Sequence, residues 1–213
     1  MPLVVFDLGG VLVRIRHGLE ACAQAAGVPF DSQWLTPERA RLLNEWMDTY
    51  QAGKVDLDTL AGKLSVGFGG VLTREDFVTL HNHILVGAYA GAEGLVREVQ
   101  AAGVSVAILS NTCAIHWEEL QDYGAIQVVA EELRYLSFEL GYAKPSDVIF
   151  ECVERLSGRE ACDIVFLDDS EMHVAAAQAR GWKAALISAE REGMREVADT
   201  LEKLGVFQRE TKG

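Results

Sequence analysis

Three apolar runs set the frame of the chain. Leu3 to Phe6, Val104 to Leu109 and Ile164 to Leu167 are short, rich in β-branched residues and free of polar interruptions, the pattern of strands buried on both faces. Each runs into polar residues: Asp7 with Gly9 and Gly10 behind it, Ser110-Asn111-Thr112, and Asp168-Asp169. A fourth strand is predicted over Lys183 to Ile187. Between the runs lie helical stretches, Gly91 to Ala102, Asp147 to Leu156, Met172 to Arg180 and Arg191 to Leu204. Alternation of this kind predicts an α/β parallel sheet with helices on both faces, and ligands bind such sheets at the C-terminal ends of the strands.

From about Arg14 to about Ala88 the alternation stops. That stretch reads as helix after helix, with Thr36-Pro37-Glu38-Arg39 opening one and Thr73-Arg74-Glu75-Asp76 capping another, and no strand is predicted in it. The expected architecture is a three-layer Rossmann-like core, residues 1–13 and 89–213, with residues 14–88 inserted as an all-helical cap domain over the strand ends. Length agrees, since 213 residues are about 1.4 typical domains.

Composition narrows the partners. With 49% apolar and 24% charged residues the chain is globular. Nineteen Lys and Arg against 32 Asp and Glu leave a net charge of -13, which repels nucleic acid and anionic lipid and makes neither an expected partner. Any phosphate site must therefore be local, built from a few donors or a bound cation. Cys22, Cys113, Cys152 and Cys162 form no CxxC pair and are expected to be buried free thiols of a reducing compartment. The N-terminus lacks a signal-peptide pattern and no apolar run approaches a membrane span, so a cytoplasmic protein is expected. Homo-oligomerisation is left open.

The strand ends carry the chemistry. Asp7, Ser110, Lys144 and Asp168-Asp169 would be gathered at one edge, supplying a nucleophile, a hydroxyl, an ammonium and cation-binding carboxylates. A carboxylate attacks phosphorus only when the phosphoryl charge is neutralised, which a divalent cation and a lysine accomplish together.

Four motifs in order, Phe6-Asp7-Leu8-Gly9-Gly10-Val11-Leu12, Leu109-Ser110-Asn111-Thr112, Gly141-Tyr142-Ala143-Lys144-Pro145 and Phe166-Leu167-Asp168-Asp169-Ser170-Glu171-Met172-His173, give the chain a resemblance to the haloacid dehalogenase superfamily. The similarity is to its phosphatase-like branch with a helical cap after strand one, and it spans almost the whole chain. The resemblance implies Asp7 as the nucleophile that becomes aspartyl-phosphate. It implies Mg²⁺ held by Asp7, the Gly9 carbonyl and Asp169, with Asp168 assisting, and Ser110, Asn111 and Lys144 holding the phosphoryl group of a small phosphorylated metabolite.

Two residues depart from the family pattern. Gly9 stands where most family phosphatases carry a general-acid Asp, a loss worth about 10²- to 10⁴-fold unless the leaving group needs no proton. His173 stands where the fourth motif expects Asn, and its imidazole is expected to orient Asp169 or Lys144. Two alternatives follow: a 2-haloacid dehalogenase, which uses the same Asp without metal but lacks the acidic pair, and a non-catalytic binding protein that keeps the fold. Elsewhere, His81 and His83 are expected on different helix faces and not as a metal pair. His116 and Trp117 are expected to pack a helix. Arg14, Arg16 and His17 are expected either at the surface or against an anionic substrate.

Overall fold

In the computed structural model, which describes residues 2–188 and 193–207, the chain starts with β1 (Leu3–Phe6) and β2 (Val13–Ile15). Four helices follow: α1 (Gly18–Ala26), α2 (Pro37–Gln51), α3 (Leu57–Gly67) and α4 (Arg74–Asn82). Then come β3 (Leu85–Ala88), α5 (Ala92–Ala101), β4 (Ser105–Ser110), α6 (Ala114–Leu120), α7 (Gly124–Gln127), β5 (Arg134–Leu136) and α8 (Ser137–Leu140). The last elements are α9 (Asp147–Ser157), β6 (Ile164–Asp168), α10 (Glu171–Ala179), β7 (Lys183–Leu186) and α11 (Arg195–Lys203). Residues Arg191 and Glu192 of the predicted closing helix lie outside the described residues.

Five strands form one sheet in the order β5-β4-β1-β6-β7, every pair parallel. The central strand β1 is wholly buried because both of its faces are covered. Val4 and Phe6 point into a layer built by α5, α7 and α11, while Leu3 and Val5 point into one built by α9 and α10. Period-two alternation thus loads both faces of one apolar run. Each fully buried aliphatic or aromatic side chain contributes about 1.5–3 kcal/mol by leaving water. The predicted α/β class is the observed one.

The helices α1 to α4 have a hydrophobic cluster of their own, containing Tyr50, Leu60, Leu64, Phe68, Phe77 and Leu80. The starts of α2 and α4 are as the sequence predicts. Thr36 accepts from the Arg39 amide with Pro37 in the first turn, and Thr73 and Asp76 cap each other reciprocally, each such cap contributing about 0.5–2 kcal/mol. The expectation of no strand between Arg14 and Ala88 is corrected. β2 and β3 pair antiparallel at the root of the helical segment, and Arg16 fastens them by donating to the carbonyls of His83 at 2.7 Å and Leu85 at 3.2 Å. Arg16 is thereby structural, whereas Arg14 is exposed. No helix of the described residues is long and apolar enough to cross a membrane.

Candidate active site

Parallel pairing decides where the polar strand ends meet. β1 lies between β4 and β6, with Phe6 level with Ile108 and Leu167. The next residue, Asp7, is fixed by its amide donating to the Leu167 carbonyl at 2.9 Å. Its carboxylate therefore stands between the ends of the two neighbouring strands, beside Ser110 on one side and Asp168 on the other.

Lys144 fills the space beneath. Its side chain is fully enclosed, and its ammonium donates to Asp7 Oδ1 at 2.9 Å, Asp168 Oδ2 at 2.6 Å and the Leu109 carbonyl at 3.0 Å. The ring of Phe166 lies 5.3 Å away, braced by edge contacts with Phe150 and Trp182. A turn lysine reaches this depth because Asn111 clamps its backbone. The Asn111 amide donates to the Lys144 carbonyl at 2.9 Å, and its oxygen accepts from the Lys144 amide at 2.8 Å. The Asn111 side chain is thus a positioning group for Lys144, a use the sequence did not disclose. Ser137 holds the next residue, exchanging hydrogen bonds with the Thr112 amide and carbonyl.

The acidic pair divides its labour. Asp168 is completely buried. Its Oδ2 accepts from Lys144, and its Oδ1 accepts from the Ser170 amide at 2.8 Å and from His173 Nδ1 at 3.0 Å. His173 therefore orients Asp168, not Asp169 or Lys144 as expected. Asp169 leans the other way, so close to Gly10 that a Cβ there would overlap its carboxylate. Gly10 itself sits at φ 70°, so a side chain is excluded by conformation and by space. His17 Nε2 is 3.9 Å from Asp169 Oδ2.

Electrostatics separate the three carboxyls. Burial drives Asp7 up, the Asp168 and Asp169 charges add to it, and the Lys144 ammonium, shared with Asp168, only partly opposes, so the group rises to about 8. Burial also pushes Asp168 up but is overcome by Lys144 and His173, which hold it well below the carboxylate range. Asp169 is raised by burial and by Asp168. Lys144 is raised, its burial outweighed by Asp168 and Asp7.

Three carboxylates facing one ammonium leave a negative deficit. Asp7, Asp168 and Asp169 each offer an oxygen within 4.8 Å of the others, an all-oxygen donor set of the kind a hard divalent cation takes. Asp168 already has both oxygens engaged, so Asp7 and Asp169 are the better-placed donors.

Gly9 lies beside this cluster. A Cβ added there would stand 3.0 Å from Ile15 Cδ1, so an apolar side chain from β2 borders the place of the missing acid. Next to it a cavity of about 100 Å³ is lined by Gly9, Ser110, Asn111, Tyr50, His81 and His116. His83 turns away, its Nδ1 donating to the Thr79 carbonyl. Cys22, Cys113 and Cys152 are buried as expected, but Cys162 is exposed.

His173 gives a direct test of the support for Asp168. His173→Ala removes one of its two donors on Oδ1 and is expected to lower kcat about 10- to 100-fold. His173→Asn, which keeps an N–H donor, is expected to retain most activity.

A family profile described as haloacid dehalogenase-like hydrolase matches residues 1–181. Among solved structures, a haloacid dehalogenase family enzyme from Bacteroides thetaiotaomicron, bt-2542, superposes with a TM-score of 0.71 at 22% identity, over 91% of this chain and 97% of that one. The same enzyme has been solved with magnesium and inorganic phosphate, at TM-score 0.68, 22% identity and coverage of 90% and 96%. L-2-haloacid dehalogenase from Xanthobacter autotrophicus, with chloropropionic acid covalently bound, superposes at 0.61 with 19% identity, over 98% and 85%. At these identities the likenesses show a shared fold. With a matching profile over most of its length, and with an aspartate, a lysine and an acidic pair converging at the strand ends, the chain belongs to the haloacid dehalogenase-like hydrolases.

Proposed function

We propose that this hydrolase is a Mg²⁺-dependent phosphatase acting on a small phosphorylated metabolite through an aspartyl-phosphate on Asp7. The observation that carries the reading is the cluster of three carboxylates against a single buried ammonium. Displacement at carbon needs no such charge, whereas phosphoryl transfer needs the cation it attracts. Asp7, Asp169 and the Gly9 carbonyl would hold Mg²⁺, which when bound neutralises charge on the phosphoryl oxygens. The magnesium and phosphate bound to bt-2542 support the same choice.

In this reading Lys144 fixes Asp7 Oδ1 and offers positive charge to the phosphoryl group, and Ser110 and the backbone amide of Asn111 hold its other oxygens. An Asp7 oxygen attacks phosphorus as the bond to the leaving oxygen breaks. Gly9 supplies no proton, so the leaving oxygen takes one from water. A second water then attacks phosphorus, freeing inorganic phosphate and restoring the Asp7 carboxylate. The residues 14–88 serve as a cap whose helices α2 and α4 close over the cavity, and its small volume suits a small leaving group.

A metal-free 2-haloacid dehalogenase is the second reading. It is favoured by the apolar Ile15 beside Gly9. The test is hydrolysis of an activated aryl phosphate with Mg²⁺, with and without chelator, alongside thermal stabilisation by beryllium fluoride. The proposal expects chelator-sensitive hydrolysis and stabilisation that requires Asp7. Turnover of a 2-haloacid that survives chelation would favour the second reading.

The raised Asp7 carboxyl gives a pH-dependent result. An unfolded Asp titrates near its ordinary value of 3.8 and the folded, metal-free one near 8. Between these the folded protein holds the extra proton, so stability falls as pH rises through that window. A cation that replaces the proton removes the loss. The gain in Tm on adding Mg²⁺ is therefore expected to be larger at about pH 8.5 than at about pH 5.5.

A further inference from the structure

A second group of titratable side chains lies outside the carboxylate cluster. Tyr50 of α2 and His81 of α4 bring it from the helical segment, and Cys113 and His116 bring it from the turn after β4 and the start of α6. Among the described residues, Cys113 is the one member of the helical segment's buried cluster that comes from outside residues 18–84. Its Sγ stands 3.5 Å from His81 Nε2, and Tyr50 Oη stands 3.1 Å from the same nitrogen. The rings of His81 and His116 stack with centroids 4.1 Å apart.

Each group offers a donor atom. His116 Nε2 donates to the His81 carbonyl at 3.1 Å, so Nδ1 is the nitrogen it would offer an ion. A backbone-carbonyl partner of this kind is what metal-ligating histidines commonly use on their second nitrogen. His81 Nδ1 is buried without a hydrogen-bond partner among the described residues, so the ring's hydrogen bonds use Nε2 alone. Burial pushes the Cys113 thiol up, but hydrogen bonds with His116 and His81 outweigh it and bring it down to about 5, the direction that favours a metal-ligating sulfur.

We propose that His81, Cys113 and His116 form a site for a thiophilic divalent cation of the zinc class, and that the ion ties the helical segment to the sheet edge beside Ser110. The three residues offer ligand atoms within 4.8 Å of one another. Tetrahedral zinc, with bonds of about 2.3 Å to sulfur and about 2.0–2.1 Å to nitrogen, places neighbouring S and N ligands about 3.5 Å apart. That matches the Cys113 to His81 separation. Sharing one ion requires the stacked rings to splay. One sulfur and two imidazole nitrogens select a softer ion than the all-oxygen carboxylate cluster, so the two sites discriminate by ligand chemistry.

The location gives the ion a consequence. These residues line the same cavity as Gly9, Ser110 and Asn111, so a bound ion occupies space a leaving group would use and pins α4 to the loop after β4. Inhibition of hydrolysis by zinc in the presence of excess Mg²⁺ follows. That consequence rests on the phosphatase reading; the binding site does not.

Cobalt(II) titration of the metal-free full-length protein tests it. Wild type is expected to develop a near-ultraviolet thiolate-to-cobalt band that saturates at one equivalent and disappears on adding zinc. Asp169→Asn is expected to keep the band, Cys113→Ser to lose it with unchanged far-ultraviolet circular dichroism, and His116→Gln to bind at least about tenfold more weakly. No band in wild type, or an undiminished band in Cys113→Ser, overturns the site. Should Cys113→Ser fail to fold, equal affinity in His116→Gln and wild type overturns it. A band without hydrolysis under any condition leaves the metal site standing and removes the phosphatase reading.

Discussion

Asp7→Asn is expected to lower turnover of a phosphate ester on the order of 10⁴- to 10⁶-fold, the scale seen when a nucleophile is removed from a cooperating site. The substitution is nearly isosteric. An Asn oxygen still accepts from Lys144 at the position where Asp7 Oδ1 now stands 2.9 Å away, and the amide still donates to Leu167. What is lost is the attacking carboxylate. What is gained is relief, because Asp7 carries a charge that burial and two neighbouring carboxylates oppose. The metal-free variant is therefore expected to melt no lower than wild type at about pH 9, above the value of about 8 near which the wild-type group ionises. Loss of turnover with undiminished stability separates a chemical role from a structural one, and steady-state kinetics beside a thermal melt measure both.

Lys144→Met should fail in the opposite way, losing fold and function together. The ammonium is shared by Asp7, Asp168 and a backbone carbonyl inside a fully enclosed site. Removing one partner from a buried ion pair strands the other and costs about 3–5 kcal/mol. For a chain of this size that is a fall in Tm on the order of 6–20 °C. The methionine stem can still pack on Phe166, so the loss reports charge more than volume. Lys144→Met combined with Asp7→Asn is expected to recover part of the stability and none of the activity, since one stranded carboxylate is gone while Asp168 remains. The coupling, read from a double-mutant cycle of thermal melts, measures the Lys144 to Asp7 interaction directly.

Much of this site is legible in the sequence, and the reason is periodic. β1, β4 and β6 are buried on both faces, so their apolar runs are unbroken, and each ends where a polar residue first becomes useful. Asp7, Ser110 and Asp168 mark those ends. Other parts had no local signal. β3 alternates half-buried and exposed positions over only four residues, and its pairing with β2 slips in register between Arg14 and Ile15, so neither strand has the apolar run that betrays a central one. β5 is an edge strand of three residues.

Depth is the other thing a sequence hides. Lys144 precedes a proline in a turn, a context that suggests solvent, yet Asn111, 33 residues away, draws it inward. Likewise the motif places His173 near the acidic pair without saying which carboxylate it serves. Rigid β6 aims Asp168 at it and turns Asp169 toward Gly10. His81 and Cys113 lie 32 residues apart, and only the packing of α4 on the end of β4 reveals that they meet.

The central claim is that Asp7 carries the phosphoryl group. Acid quench of a single turnover with an aryl phosphate and Mg²⁺, followed by peptide mass mapping, tests it most directly. The account predicts a phosphorylated peptide containing Asp7 that forms and decays within the turnover and is absent from Asp7→Asn. Product formed at full rate with no modified peptide, or with the phosphoryl group on another residue, would contradict it.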